Sequence, residues 1–406
     1  MRRERGVRDV RRATLVVCWA SYLVAGCGAP GEEASTYQVR DSAGITIVEN
    51  ESPAWPPGEA WRLSDEPELR IGQVEGENEY LLMGPLSALR LRDGTIVVSN
   101  TGTEEIRWYD AAGRFLWRAG GRGGGPGEFS NLVWIYPLGE DSIVAWDDSP
   151  PRIAFFHRDG SFGRSVRPGN PGGVLRGVFP DGSLLLAEHS DWSNRPSEGR
   201  IRQPARSYRL DSQGAIIDSL PFFPGREFQF RTRRRSVMLS PPPFDRRTVF
   251  AVSGDGFFAG SQNDNEIGYY DRHGQLATLL RWPGGNRAVS EADIEAYRSY
   301  HLERADDENA RRRIEEWLQE ETYPEFFPAY GDVTVDSEGN LWVEEYSPEW
   351  SRQKIWAVFD AECRMLGTVE MPGRFVVQQI GDDFVLGYGW DELDVEYVLL
   401  YRLIKP

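Results

Sequence analysis

A recurring unit of short strands and tight turns is the feature that most constrains the fold. Residues 91–129, LRDGTIVVSNTGTEEIRWYDAAGRFLWRAGGRGGGPGEF, contain a β-branched run, a polar gap, an alternating apolar strand and an Asp–Gly turn. β-Branched residues favour pleated sheets, whereas Asp and Gly favour turns. With residues 86–91 as a first strand, the unit predicts a four-stranded antiparallel meander.

The same pattern returns five times along the chain. Each copy pairs a turn and an apolar run with a later strand: 141–146 with 153–160, 181–186 with 208–214, 255–259 with 267–274, 337–343 with 355–360, and more weakly 382–386 with 397–403. Six copies at roughly 40 to 60 residue spacing fall in the range of propeller blades. Because one meander cannot bury both faces, we expect an all-β fold, a six-bladed β-propeller with four-stranded antiparallel blades.

The last copy, residues 374–404, is one strand short. Propellers commonly close when an N-terminal strand completes the last blade. We therefore predict that residues 45–48, or else the strand around residues 68–71, pair with this C-terminal blade.

One insertion breaks the repeat and has helical character. Residues 290–293, SEAD, have the form of a capping box, and a second helix is predicted from about residue 307 to residue 320, before Pro324 and Pro328. The sequence thus predicts a two-helix insertion over residues 288–323, between blades four and five and over one face of the propeller. It is interpreted as a lid, as a docking surface or simply as the cover of a hydrophobic edge.

The N-terminal residues 1–26 resemble a bacterial lipoprotein signal peptide. Six arginines precede an apolar stretch too short to span a bilayer, and residues 23–27, LVAGC, resemble a lipobox. We expect an acylated Cys27, a flexible tether within residues 27–43, and a propeller over residues 44–406. Gly28 favours the outer membrane, facing the periplasm or the exterior. The alternative is an ordinary signal peptide with an incidental cysteine.

Charge and cysteine content restrict the partners and the covalent structure. The 46 basic and 63 acidic residues give a net charge of −17, which becomes −21 without the leader's six Arg, one Glu and one Asp. Such an acidic body repels nucleic acid and anionic lipid surfaces. Beyond Cys18 in the leader and Cys27, only Cys363 remains, so we predict no intramolecular disulfide.

The glycine-rich stretch at residues 120–129, GGRGGGPGEF, resembles the inter-blade signature of NHL-type repeats. Residues 241–244, the helical insertion after Pro283 and residues 331–343 fit the same group. From about Gly44 to Pro406, the chain therefore resembles bacterial six-bladed propellers of the NHL-repeat or TolB-like group. This group includes both enzymes and binding modules, so the resemblance implies the fold and leaves the function open.

Comparison of the six copies yields a set of candidate ligand residues. Hydrogen-bonding side chains follow the second strand of every copy at Asn100, Asp147, Glu188, Gln262, Glu345 and Tyr388. In a closed propeller these positions form a ring near one channel mouth, and carboxylate and amide oxygens suit calcium. The resemblance adds that lactonase-like propellers bind calcium through Asp, Glu and Asn in the channel. The alternative is that these side chains cap turns.

The densest cationic cluster of the acidic body comprises Arg231, Arg233, Arg234 and Arg235. Arginine forks match phosphates, carboxylated glycans and acidic partners. The alternative is that these arginines pair with acidic residues of neighbouring blades. The four histidines are dispersed along the chain, which argues against a three-histidine zinc site, and the sequence assigns no catalytic residue.

These patterns predict a lipid-anchored binding or scaffolding module of the cell envelope. Its propeller surface would meet a protein or carbohydrate partner, and membrane contact would pass through lipid on Cys27. The alternative is a metal-dependent, calcium-like hydrolase or lyase with its site at the channel mouth. A sensor ectodomain is less favoured, because no transmembrane segment follows the lipobox.

Overall fold

The computed structural model describes residues 35–140, 142–169, 173–190, 198–233, 236–351 and 353–406. The predicted leader, Cys27 and the start of the predicted tether lie outside these residues. The described chain begins with the hairpin β1 (Tyr37–Ser42) and β2 (Ile45–Asn50), followed by β3 (Arg62–Leu63), β4 (Leu69–Ile71) and a 3₁₀ turn over Asn78–Tyr80. Because Tyr37–Ser42 is already a strand, the tether does not extend to residue 43, and the predicted boundary is wrong there.

The remaining strands form six sheets, taken in chain order. The first contains β5 (Pro85–Arg90), β6 (Ile96–Asn100), β7 (Glu105–Tyr109) and β8 (Phe115–Gly120); the second contains β9 (Leu132–Leu138), β10 (Ser142–Asp148), β11 (Pro151–His157) and β12 (Phe162–Val166). The third contains β13 (Val174–Val178), β14 (Leu184–Ser190), β15 (Gly199–Leu210), β16 (Ile216–Arg233) and β17 (Ser236–Ser240).

The other three sheets continue the same order. The fourth contains β18 (Val249–Ser253), β19 (Gly256–Gly260), β20 (Glu266–Asp271) and β21 (Leu276–Arg281); the fifth contains β22 (Tyr330–Val335), β23 (Leu341–Glu345), β24 (Gln353–Phe359) and β25 (Met365–Pro372). The sixth contains β26 (Phe375–Ile380), β27 (Phe384–Trp390) and β28 (Glu396–Ile404), and the helices α1 (Glu291–Glu303) and α2 (Glu308–Gln319) lie between β21 and β22.

Aspartate side chains explain why the turns recur. In the first sheet, Asp110 Oδ1 accepts hydrogen bonds from the backbone N–H groups of Ala112 and Arg114, and Gly113 has a φ of 77°. The same two bonds, from the residues two and four positions ahead, are made by Asp211, Asp271, Asp336, Asp360 and Asp391. Aspartate thus closes the turn after an apolar strand and starts the next strand.

The six sheets are arranged in a ring. The first strands contact one another in cyclic order, β5 with β9, β9 with β13, β13 with β18, β18 with β22, β22 with β26 and β26 with β5. A hydrophobic cluster lies between each neighbouring pair of sheets, including Trp108 between the first and second sheets and Trp342 between the fifth and sixth. Each sheet face is therefore buried by the next sheet, which makes the fold β-propeller-like.

The ring closes through the N-terminal part of the described chain. Strand β4 pairs antiparallel with β28, in the register Val398↔Ile71 and Leu400↔Leu69. The prediction that the strand around residues 68–71 completes the last sheet is therefore confirmed. The other candidate, residues 45–48, is wrong, because β2 pairs in parallel with β21 of the fourth sheet. Val48 is buried in the cluster between the fourth and fifth sheets.

The first helix has the predicted capping box, and residues 320–322, directly after the second helix, contact the long strand β16. Ser290 and Asp293 form the capping box of α1, and Asp307 caps α2. We define the helical cap as α1, α2 and the following residues 320–329. Within the described chain, neither helix has the length and apolar character required to cross a bilayer.

Candidate functional site: the channel mouth

The first strands of the six sheets line a central channel. It contains a cavity of about 470 Å³. All six first strands contribute residues to its wall, because alternate side chains of each strand point toward the axis. The aromatic and charged residues of the whole wall, which also includes residues next to the first strands and from β23 and β24, are Trp134, Tyr136, Arg176, Arg247, Phe250, Asp332, Asp336, Glu344, Lys354 and Trp356. This composition suits a ligand that carries both polar groups and an apolar surface.

Two ion pairs occupy part of the channel wall. Arg247 Nη2 lies 3.0 Å from Asp332 Oδ2, and Lys354 Nζ lies 2.9 Å from Glu344 Oε1. Burial lowers the pKa of Arg176, and the nearby Arg247 adds to this effect. Charged groups of both signs are thus held in a partly dehydrated channel, where electrostatic interactions are stronger than in bulk water.

Three of the predicted ring residues anchor the segments that lead into the first strands. Asn100, Asp147 and Gln262 are all buried. Their side-chain oxygens accept backbone N–H groups just before β5, β9 and β18, from Met83 at 2.6 Å, Asn131 at 2.7 Å and Arg247 at 2.8 Å, respectively. Asp147 also pairs with Arg152 Nη2 at 2.7 Å. These three side chains lie at equivalent positions, and their oxygens already accept hydrogen bonds from the described chain.

The remaining ring residues differ from these three. Glu188 lies in β14, but its side chain is outside the described part of the structure. Burial raises the pKa of Tyr388, and the carboxylates of Glu396 and Asp332 act in the same direction. Glu345 ends β23, and partial burial raises its pKa. No side-chain hydrogen bond or ion pair joins Glu345 to the described residues.

Metal ligands are not gathered at the ring within the described residues. Among them, no group of three or more His, Cys, Asp or Glu residues is arranged to hold a metal ion. A calcium site made of carboxylates from several sheets would need such a group. The described members of the ring therefore do not converge on one point as the predicted calcium ligands would.

The arginine cluster is only partly described. Arg231 Nη2 lies 2.7 Å from Glu321 Oε1 of the helical cap. The Arg233 side chain, Arg234 and Arg235 lie outside the described residues. Arg231 is therefore paired with an acidic residue, as in the alternative interpretation, but this residue belongs to the helical cap and not to a neighbouring blade.

A second cavity, of about 300 Å³, lies between the fourth and fifth sheets and meets the channel at Glu344. Trp282, Phe327, Tyr330 and Tyr346 supply its aromatic wall, and Arg287 and Glu345 supply charges. Sequence reasoning identified Glu345 and missed the rest. These residues come from the two ends of the helical insertion and from two strands, so no local spacing relates them.

Comparison with known proteins supports the fold. No protein-family model and no curated protein matches the sequence. A solved structure from Bacteroides fragilis, of a protein assigned as exported, has a TM-score of 0.50 and 15% identity over 89% of this chain and 100% of that chain. A DUF4221 family member from Bacteroides vulgatus has a TM-score of 0.49 and 11% identity over 86% and 99% of the two chains.

Another similar structure is regucalcin, a calcium-binding protein from Agrobacterium tumefaciens. Its TM-score is 0.40 and its identity 10%, over 85% of this chain and 96% of that chain. At such low identities, likeness to a solved structure concerns the fold alone and does not transfer a ligand or an activity.

Proposed function

We propose that the protein is a lipid-anchored binding module of the bacterial envelope, built as a six-bladed β-propeller with the helical cap between blades four and five. The observation that carries this proposal is the open channel, whose wall is built by all six sheets and carries aromatic rings and charged groups from the second to the fifth of them. Such concave, largely preformed surfaces are the usual place for ligands in ring-shaped folds. A carbohydrate or a protein loop presents the mixed polar and apolar surface that this wall would accept.

The binding site is tested by a channel variant and a matched surface variant. Trp134→Ala removes an aromatic side chain from the channel wall, whereas Leu393→Ala changes a side chain that is 79% exposed. We expect the purified protein to bind members of an envelope-glycan array, Trp134→Ala to lose that binding and Leu393→Ala to retain it. Glycan binding that survives Trp134→Ala would remove the channel from the proposal.

The membrane anchor is tested separately at Cys27. We expect the wild-type protein to incorporate labelled palmitate and to fractionate with outer membranes. Cys27→Ala should abolish the label and release the protein into the periplasmic fraction, because one acylated residue supplies the proposed attachment. Unchanged fractionation of Cys27→Ala would contradict the lipid anchor and leave the channel proposal intact.

The second candidate is a metal-dependent hydrolase or lyase at the channel mouth. The observation that favours it is Glu345, a carboxylate with a raised pKa and no partner among the described residues. A thermal scan in chelator and then in millimolar calcium, magnesium, manganese or zinc tests this candidate. A ligand at a hundred times its Kd stabilises the native state by about 2.7 kcal/mol. A cation-specific rise lost in Glu345→Ala would favour the enzyme, and no rise would oppose it.

A further inference from the structure

Among the described residues, Glu345 lacks the hydrogen bonds that Asn100, Asp147 and Gln262 make in three other sheets, and the reason lies in Pro328. In the first and fourth sheets, the residue two positions before the first strand donates its backbone N–H to the strand-end side chain: Met83 donates to Asn100, and Arg247 donates to Gln262. In the fifth sheet the same place, two residues before β22, is taken by Pro328. Proline has no N–H to donate.

The neighbouring donors near Glu345 are also engaged. The N–H of Ala329 donates to the Gln262 carbonyl at 3.0 Å, and the N–H of Phe327 donates to the Arg287 carbonyl at 2.9 Å. The helical insertion thus enters the fifth sheet without offering a donor to the strand-end carboxylate. Glu345 faces the second cavity instead.

The other charged groups around this cavity are compensated. Glu344 pairs with Lys354 at 2.9 Å, and Arg287 Nη1 lies 3.5 Å from Asp293 Oδ1. The guanidinium of Arg287 also stacks on Phe327, 4.0 Å from the ring centre. Glu345 is therefore the one charge on the described wall of this cavity without a counter-ion.

Electrostatics around the cavity favour a cation. Burial raises the pKa of Tyr346, and the carboxylates of Asp245 and Glu349 raise it further, against a smaller opposing effect of Arg287. The rings of Trp282 and Tyr346 add faces with negative quadrupole potential, to which organic cations are attracted. Glu345 itself is exposed, so its carboxylate is accessible to a ligand that brings a positive charge to these rings.

We propose that the second cavity binds a small organic ammonium ion, with Glu345 as its counter-ion and the rings of Trp282 and Tyr346 as its walls. The volume of about 300 Å³ fits a small ligand, since pockets for drug-sized ligands span about 300–1,000 Å³. This cavity meets the channel at Glu344, but Trp282, Glu345 and Tyr346 do not line the channel cavity, so either proposal stands if the other fails.

The test uses choline as the probe and its neutral isostere 3,3-dimethyl-1-butanol as the matched compound, with calorimetry and tryptophan fluorescence as readouts. We expect saturable binding of choline to the purified protein and binding of the neutral isostere at least about tenfold weaker, as for a lost charged contact. Equal affinities for the two compounds, or no saturable binding of choline, would overturn the proposal.

Variants identify the residues responsible. Glu345→Gln preserves the shape of the side chain, and we expect it to weaken choline binding about tenfold or more without affecting the neutral compound. The matched control is Glu295→Gln on α1, whose carboxylate is 72% exposed, and it should leave both affinities unchanged. Should Glu345→Gln fail to fold, Tyr346→Leu provides the second variant. If a folded variant of either residue binds choline with wild-type affinity, the cation does not bind at Glu345 and Tyr346, and the proposal is wrong.

Discussion

A buried ion pair holds the helical cap to the third sheet, and its removal should open the cap. The Glu321 side chain is fully buried and Arg231 is 14% exposed, with 2.7 Å between Nη2 and Oε1. Neither Glu321 oxygen makes a well-aligned hydrogen bond. In Arg231→Met the carboxylate would stay buried without a counter-ion. Removing one partner of a buried pair costs about 3–5 kcal/mol.

The cost should appear as local opening of the cap. Hydrogen bonds from Thr322 to Gln229, from Arg246 to the Phe326 carbonyl and from the Ala329 N–H to the Gln262 carbonyl also hold the cap, and Phe244 packs against its aromatic rings. The ion pair is the buried charged contact of this attachment, so its loss should be felt first at the adjoining helices. A penalty of about 3–5 kcal/mol raises the population of the open cap by about two to three and a half orders of magnitude. Hydrogen exchange measured by mass spectrometry on peptides from α1 and α2 would show this as accelerated exchange.

The matched control is Arg311→Met on α2. Arg311 lies 3.3 Å from Glu315, and the two side chains are 47% and 46% exposed. Such an exposed pair contributes only about 0.3–0.5 kcal/mol. Similar exchange in Arg231→Met and Arg311→Met would refute the reasoning, because it would mean that the buried pair contributes no more than a surface pair.

The pH dependence of the same variant has a defined sign. Burial raises the pKa of Glu321 even with Arg231 present, and loss of the cation should raise it further. A carboxyl whose folded-state pKa is raised costs stability when it is ionised, and protonation removes that cost. Between pH 7.5 and pH 5.5, exchange corrected for its intrinsic rate should therefore slow in Arg231→Met relative to wild type. Acceleration on acidification would contradict this assignment.

Three other outcomes are expected. Burial raises the pKa of Cys363 to about 12, so the native thiol should not react with a disulfide reagent at pH 8, and reaction before unfolding would contradict its burial. Ile71→Ala should lower the free energy of unfolding by about 2–5 kcal/mol in chemical denaturation, because Ile71 is 1% exposed at the ring closure. Val74→Ala should be nearly neutral, because Val74 is 60% exposed, and equal effects of the two substitutions would contradict the closure. Without ligand at pH 7, Glu345→Gln should raise Tm, since the ionised carboxylate is disfavoured; a lowered Tm would mean that Glu345 stabilises the fold.

Much of the fold was predictable because its determinants are local. An aspartate that closes a turn through its own backbone, such as Asp110 or Asp271, acts over four residues and therefore leaves a pattern that the sequence displays. The capping box at Ser290 is local in the same way. The ring closure was harder to predict, because β4 and β28 are more than 300 residues apart and β2 had the more strand-like composition.

The candidate site was less predictable because its contacts are not local. The alignment of strand ends correctly selected equivalent positions, but it could not distinguish a carboxylate that binds the backbone from one that does not. Asp147 and Glu345 are both carboxylates, but Asp147 is buried, pairs with Arg152 and accepts backbone N–H groups, whereas Glu345 is exposed and has none of these partners among the described residues. The residue about 17 positions before the carboxylate is Ser130 in the second sheet and Pro328 in the fifth. Ser130 donates its backbone N–H to Asp147, whereas Pro328 has no N–H to donate to Glu345.

This comparison suggests where function arises in a fold built from repeated units. Where the repeat is complete, the strand-end side chain holds the segment before the first strand of its own sheet, as Asn100 and Gln262 do. Where an insertion interrupts the repeat, the connecting segment follows a different path and the equivalent side chain loses its structural partner. The helical cap does this at the fifth sheet, and it also supplies Phe327 to the cavity that Glu345 faces. Arg287, just before the cap, lines the same cavity. An unpaired carboxylate and a new cavity thus have a common cause, which is why we look for a ligand at the interruption.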